Sequence, residues 1–514
     1  MNHMRKRVSK RRVAVALAAA AAVLPVTAVG SSAAVQSFAV AMGRPSTSWS
    51  SNIWSGSASS GPALTLRDVR TVIGADAGTA ATLTGQGVGV ALIDTGVAPV
   101  PGLPAAKVVN GPDLSFESQS ANLRYLDTYG HGTHMAGIIV GNDTATGTKG
   151  LAPNAKLTSV KVGTSNGAVD VTQMISAIDW VVAHRNDDPA NPIRVINLSY
   201  GTGGNPNYWT DPVQFAVEQA WKAGIVVVAA TGNTAGQISD PATDQFVLNV
   251  GSTATNGTLP AADDTISTFT NLASNGAANR RADLLAPGQS VVSLSDPGSN
   301  IDTSYPAARV GTTLFRGSGT SQATAVTSAA VALLLQARPS LTPDQVKNLL
   351  INKGTVLTAG NAAGLGYHEL NLGAALAATT PTATQNFTWS SGTGTFEGAR
   401  GASHVVRDGV SLTGEATVWG LLSTATWAPK SAARTAWSGG SWMGFAVAGS
   451  GWTGTSWASK TWAAGTWTGK PWGGATSWVD PDWTGHYWSG HYWSNGAWNG
   501  HYWSSDDWST VRWG

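Results

Sequence analysis

Four short runs of branched apolar residues, separated by longer amphipathic stretches, set the tightest limit on how this chain folds. They are Gly89-Val90-Ala91-Leu92-Ile93, Leu157 to Val162, Val195-Ile196-Asn197-Leu198 and Ile225-Val226-Val227-Val228. Runs this short and rich in β-branched residues fit strands buried on both faces. Helical patterns stand between them at 134–140, 171–184 and 212–223. Strands alternating with helices imply a parallel α/β sheet, whose working residues gather at the carboxyl ends of strands. A final helical pair is expected at 342–352 and 370–378, so the α/β domain is expected over residues 64–380.

Phe315-Arg316-Gly317-Ser318-Gly319-Thr320-Ser321 leads into a small, apolar, nearly uncharged run from Ala323 to Leu335. This reads as a buried helix with Ser321 at its N-terminus, where unpaired N–H groups favour negative charge developing on a carbonyl oxygen. A nucleophilic serine also needs a base and a group that orients the base. Asp94 follows directly on the run Val90 to Ile93, and His131 stands between Gly130 and Gly132 at a helix start. Taken alone, Asp94 reads as a turn residue and His131 as a surface or capping residue. His131 and His134 are spaced i, i+3, but no third ligand stands near them, so no metal is expected there.

Together the segments Ala91-Leu92-Ile93-Asp94-Thr95-Gly96, Gly130-His131-Gly132-Thr133-His134-Met135-Ala136-Gly137 and Gly319-Thr320-Ser321 resemble, in order, the motifs of the subtilases, serine peptidases of the subtilisin type. The order Asp, His, Ser differs from that of chymotrypsin-like chains and of α/β-hydrolases. The resemblance implies a three-layer sheet with helices on both faces. It also implies a serine endopeptidase acting as a monomer on protein or peptide substrates, with Ser321 as nucleophile, His131 as base, Asp94 as its orienter and His134 structural. Thr231-Gly232-Asn233 resembles the segment whose asparagine helps hold the oxyanion. Ser199, Tyr200 and Gly201 resemble one substrate-lining segment, and Asn166 and Gly167 the opposing edge. Backbone pairing with an extended peptide reads little sequence, so broad specificity is the expectation. Gln322 and Ala325 stand where the family usually has Met and Pro. The loop 141–147 resembles a calcium loop, but too few oxygen ligands can be named for a metal to be expected, and no other cofactor is implied.

The chain has 514 residues. Its first 34 carry six Lys or Arg, no acid, and an apolar run from Val13 to Val29, the layout of a secretory signal. Residues 35–63 are expected to be a linker or short pro-segment, and the protein to be exported or associated with the cell surface. Without the leader's six cations, the chain's 31 Lys and Arg become 25 against 29 acids, a net charge of −4, which argues against nucleic acid as a partner. Cysteine is absent, so disulfides and thiol catalysis are excluded.

Residues 381–514 hold 18 of the 23 tryptophans and are expected to form a separate repeat region. From Trp452 the spacing is five, with one six-residue step before Trp478. Neither a strand nor a helix explains a period of five, since it gives no single apolar stripe on either. Glycine and hydroxyl residues between the rings suggest a chain of turns. Flat rings among neutral hydrogen-bonding neighbours suit sugars, which makes cell-wall or extracellular glycan an expected partner of the tail. A self-packed or partly disordered stalk is the alternative, and a catalytically silent glycan-binding protein on a peptidase scaffold is the rival to an enzyme.

Overall fold

The computed structural model describes residues 62–446 apart from 104–106, 120–122, 166, 168, 203–206, 275–279, 402, 405, 408–409 and 439, together with one strand pair at 466–467 and 470–471. The leader, the linker through 61, Asn166 and most of the tryptophan repeats lie outside the described residues.

Nine strands are β1 (Gly89–Asp94), β2 (Val108–Asp113), β3 (Lys156–Lys161), β4 (Ile193–Leu198), β5 (Val226–Ala230), β6 (Leu248–Ala254), β7 (Leu284–Pro287), β8 (Thr355–Val356) and β9 (His368–Glu369). They line up in the order β8-β9-β7-β6-β5-β4-β1-β3-β2, and Thr265–Ile266 adds a tenth strand against β6. Pairing is parallel except for β8 with β9 and for the tenth strand. In register, Asp94 stands opposite Lys161 and Leu92 opposite Asn197, so β1 ends in the middle of the sheet with a neighbour on each side.

The main helices are α1 (His131–Val140), α2 (Val171–His184), α3 (Pro212–Lys222), α4 (Thr320–Ala337) and α5 (Pro343–Lys353). α1 packs with α4 and α2 with α3, one group against each face of the sheet. Three of these starts carry a side-chain cap. Asp170 and Gln173 form a capping box on α2, and Thr342 and Gln345 form one on α5. Asp211 caps α3, accepting from the N–H groups of Val213 and Gln214, with Pro212 at the first turn, where its missing donor is not needed. From Thr320 to Leu335, α4 is buried on all sides, which explains why its run has no polar face.

Past residue 380 the chain stays on the α/β domain. Phe396, Trp427 and Trp442 are fully buried in the same core as the sheet. Asp179 of α2 accepts from Trp427 Nε1 at 2.7 Å, Trp442 Nε1 at 2.9 Å and Ser431 Oγ at 2.5 Å, and Trp437 Nε1 donates to Ser176 O at 2.8 Å. Arg400 is wholly buried. Its Nε donates to Asp170 Oδ2 at 2.6 Å, and its other nitrogens donate to the carbonyls of Gly414 and Ala416. A buried ion pair holds only when its remaining groups are satisfied in this way.

A period of five acquires a geometric cause at Trp437 and Trp442. Trp437–Ser438 pairs antiparallel with Ser441–Trp442, the two tryptophans face each other in register, and Ser441–Trp442 pairs in turn with Phe445–Ala446. Met443 and Gly444, at φ 53° and 88°, make the second turn, the positive-φ geometry that tight two-residue hairpins require. Residues i and i+5 across a two-residue turn are directly opposed and share one face. The step therefore runs between strands, which a single strand or helix could not reveal.

Asp211, Asp240, Asp244 and Glu218 are buried around the start of α3. Burial pushes Asp211 up to about 7, Asp244 to about 6 and Glu218 to about 9; burial and then the Asp211 charge hold Asp240 well above the ordinary carboxyl range. Folded protein then binds more protons than unfolded chain above about pH 4, so these groups make stability fall as pH rises. The opposing contributions are smallest between about pH 6.5 and 8, because burial pushes His134 down to about 3 and Lys347 down to about 8. Across that window the thermal midpoint of Asp240→Asn is expected to fall less steeply than that of the parent, by a few degrees overall. Parallel slopes in calorimetry would remove Asp240 from this account.

Candidate active site

β1 delivers Asp94 at its carboxyl end and α1 begins on His131, and the two meet there. His131 Nδ1 lies 2.8 Å from Asp94 Oδ1, with both side chains at most 1% exposed. Asp94 Oδ1 also accepts from the backbone N–H of Thr95 at 2.8 Å and from Thr95 Oγ1 at 3.3 Å. The glycines of the two motifs permit this approach. A Cβ on Gly132 would lie 2.0 Å from Gly96 O, and Gly96 itself has φ 107°; both values exclude a side chain. His134, one turn further along α1, is buried, and burial and then the charge of His131 keep it neutral at ordinary pH.

Asp127 fixes the start of α1 and was not singled out by the sequence reading. Its Oδ1 accepts from Thr95 Oγ1 and Gly130 N, both at 2.7 Å, and its Oδ2 accepts from Thr133 N and Oγ1, both also at 2.7 Å. It therefore clamps the residue after Asp94 to the turn before His131. Standing three residues before the cap position Gly130, it meets the N–H of Thr133 from outside the helix, as an N-cap side chain would from within it.

Ser321 sits in the first turn of α4, where N–H groups lack helical acceptors. Its hydroxyl is buried and has no hydrogen-bond partner among the described residues, so the structure records no bond from it to His131. Catalytic hydrogen bonds commonly tighten only once substrate is bound. Asn233 is held against the adjoining residue: Thr320 N donates to Asn233 Oδ1 at 2.8 Å and Thr320 Oγ1 donates at 3.0 Å. A backbone N–H can only donate, so the atom it faces is the amide oxygen, and Nδ2 is the donor end of Asn233. Gln322, beside Ser321, is fully buried, and neither end of its amide has a hydrogen-bond partner among the described residues.

The expected substrate segments divide. Ser199 is buried, accepts from Asn197 Nδ2 at 3.0 Å and donates to Ser321 O at 3.3 Å, so its hydroxyl supports the serine turn from beneath. Tyr200 is also buried. At Gly201 a Cβ would come within 2.3 Å of Ser239 Oγ. What this stretch can offer a peptide is backbone. Gly167 turns at φ 80° and donates to Thr164 O at 2.8 Å, whereas its partner Asn166 lies outside the described residues. In the loop 141–147, Asp143 accepts from Ala145 N and Thr146 Oγ1 within the loop and from Thr313 Oγ1 outside it. Among the described residues no group of three or more His, Cys, Asp or Glu is disposed to hold a metal, and no helix is long and apolar enough to cross a membrane.

A model of the subtilase family of peptidases matches residues 85–392, more than half of the chain. The chain belongs to the subtilase family. This subtilase is 37% identical over 279 residues to the serine protease AprX of Bacillus subtilis (strain 168), covering 53% of this chain and 62% of that protein. It is 33% identical over 285 residues to subtilisin Savinase of Lederbergia lenta, covering 55% of this chain and 89% of that one. Among solved structures, a cold adapted subtilisin-like serine proteinase is similar at 28% identity and a TM-score of 0.44, covering 56% of this chain and 90% of that one. The match spans about three-fifths of the length of AprX and of the alkaline protease of Alkalihalobacillus alcalophilus.

Proposed function

We propose that this subtilase is an exported serine endopeptidase that cleaves polypeptides of broad sequence by acyl transfer. The observation that carries the proposal is the buried Asp94–His131 pair at 2.8 Å, set in a subtilase domain that also presents, at a helix N-terminus, the Ser321 hydroxyl with no hydrogen-bond partner among the described residues. In this mechanism Ser321 Oγ attacks the scissile carbonyl while His131 Nε2 takes its proton. The same proton passes to the amine leaving group as the C–N bond breaks and the acyl-enzyme forms. Water, deprotonated by His131, then releases the acid and restores Ser321. Asp94 keeps Nδ1 protonated and stabilises the imidazolium, and Asn233 Nδ2 with the Ser321 N–H receives the oxyanion.

A fluorophosphonate tests the reading, because it reacts only with an activated serine. Mass spectrometry of the labelled protein should place the adduct on Ser321, and an unlabelled protein would favour a silent scaffold. Asn233→Ala should lower kcat by about 10²–10³, the scale known for loss of an oxyanion donor in subtilisin, with a smaller change in KM. An effect on KM alone would make Asn233 a binding residue.

A further inference from the structure

Lys161 ends β3 beside Asp94 and is almost completely buried, as is its partner Glu117. All three donors of the ammonium are used: to Thr95 O at 2.8 Å, to Gly163 O at 2.9 Å and to Glu117 Oε2 at 2.9 Å. Glu117 is equally committed. Its Oε2 also accepts from Thr128 Oγ1 at 2.6 Å, and its Oε1 accepts from Ser165 N at 2.8 Å. The contacted residues come from separate parts of the site. Thr95 follows Asp94, Thr128 lies three residues before His131, and Ser165 opens the edge that contains Gly167.

Desolvating two charges to this degree is repaid only when every lone pair and proton has a partner. Here the partners are backbone carbonyls, a backbone N–H and a hydroxyl on three loops, so the pair is satisfied only when all three loops keep their places. We infer that the Lys161–Glu117 pair is the joint that sets the substrate edge at Ser165 against the His131–Asp94 pair, with Glu117 as a positioning residue. The inference rests on the peptidase reading of the site. An extended peptide lying along that edge is then carried in register with the histidine, and binding along the edge is converted into rate. A small ester that does not reach the edge draws nothing from the joint.

The test compares these two substrate types in Glu117→Gln, whose amide oxygen cannot accept from both Ser165 N and Lys161. Rates are taken per fluorophosphonate-labelled site, so only the assembled fraction counts. For an extended peptide amide kcat/KM should fall between about 10- and 100-fold, with a fall of no more than about threefold for a short activated ester. Thr128→Val, which removes one hydroxyl from Glu117 with little change of shape, should shift the same ratio in the same direction by less, and it decides the matter if Glu117→Gln fails to fold. Equal losses on both substrates, or no loss on either, would overturn the inference. So would loss of labelling in both variants, since the pair would then serve the fold as a whole. An unlabelled parent protein would instead remove the peptidase reading beneath it.

Discussion

Ser321→Ala is expected to reduce peptide hydrolysis by about 10⁶, the scale known for loss of the nucleophile in subtilisin, and to abolish fluorophosphonate labelling without lowering the thermal midpoint. The second half of this expectation comes from the surroundings of the hydroxyl. It is buried and makes no hydrogen bond among the described residues, so its removal orphans no partner and relieves an unsatisfied polar group. Alanine is also the best helix former, and the position lies in the first turn of a helix already rich in small residues. Turnover near the parent rate would dismiss Ser321 as nucleophile. A markedly lowered midpoint would show that the hydroxyl serves the fold.

The second large effect falls on Asp94, where two substitutions should separate. Asp94→Ala removes the acceptor for His131 Nδ1, frees the ring to adopt the wrong tautomer, and should lower kcat by about 10⁴. Asp94→Asn should retain at least tenfold more activity than Asp94→Ala, because the Thr95 N–H that donates to Oδ1 selects the amide oxygen for that position. The asparagine would then still accept from Nδ1 and would lack only the charge that stabilises the imidazolium. Single-turnover acylation rates at matched concentrations of folded protein would measure the difference. Equal rates for the two variants would mean that Thr95 does not choose the orientation.

The parts of the fold legible in the sequence were those with one dominant physical signature. β1, β3, β4 and β5 are short runs rich in β-branched residues, and α2 occupies the residues its periodicity marked. β2 and β6 escaped because Asn110-Gly111-Pro112 and Asn249, Gly251, Ser252 and Thr253 read as turn chemistry; parallel pairing within the sheet overrides that local preference. α1 begins three residues before its apolar pattern does, since the flanking glycines hide the helix and Asp127 supplies the cap from outside it. Motif order marked Asp94, His131 and Ser321 as candidates, but it could not reveal that Asn233 is oriented by Thr320 or that Ser199 points inward. Those facts depend on contacts between segments distant in sequence.

The clasp of Trp427, Ser431 and Trp442 on Asp179 bears on where this chain can be cut. Burial raises the Asp179 carboxyl to about 6, and the three indole and hydroxyl donors offset that burial. A chain ended at residue 380 would leave the carboxylate in the wall of α2 without them. The packed unit therefore runs from the first strand at least as far as Trp442, about sixty residues beyond the point where the composition changes.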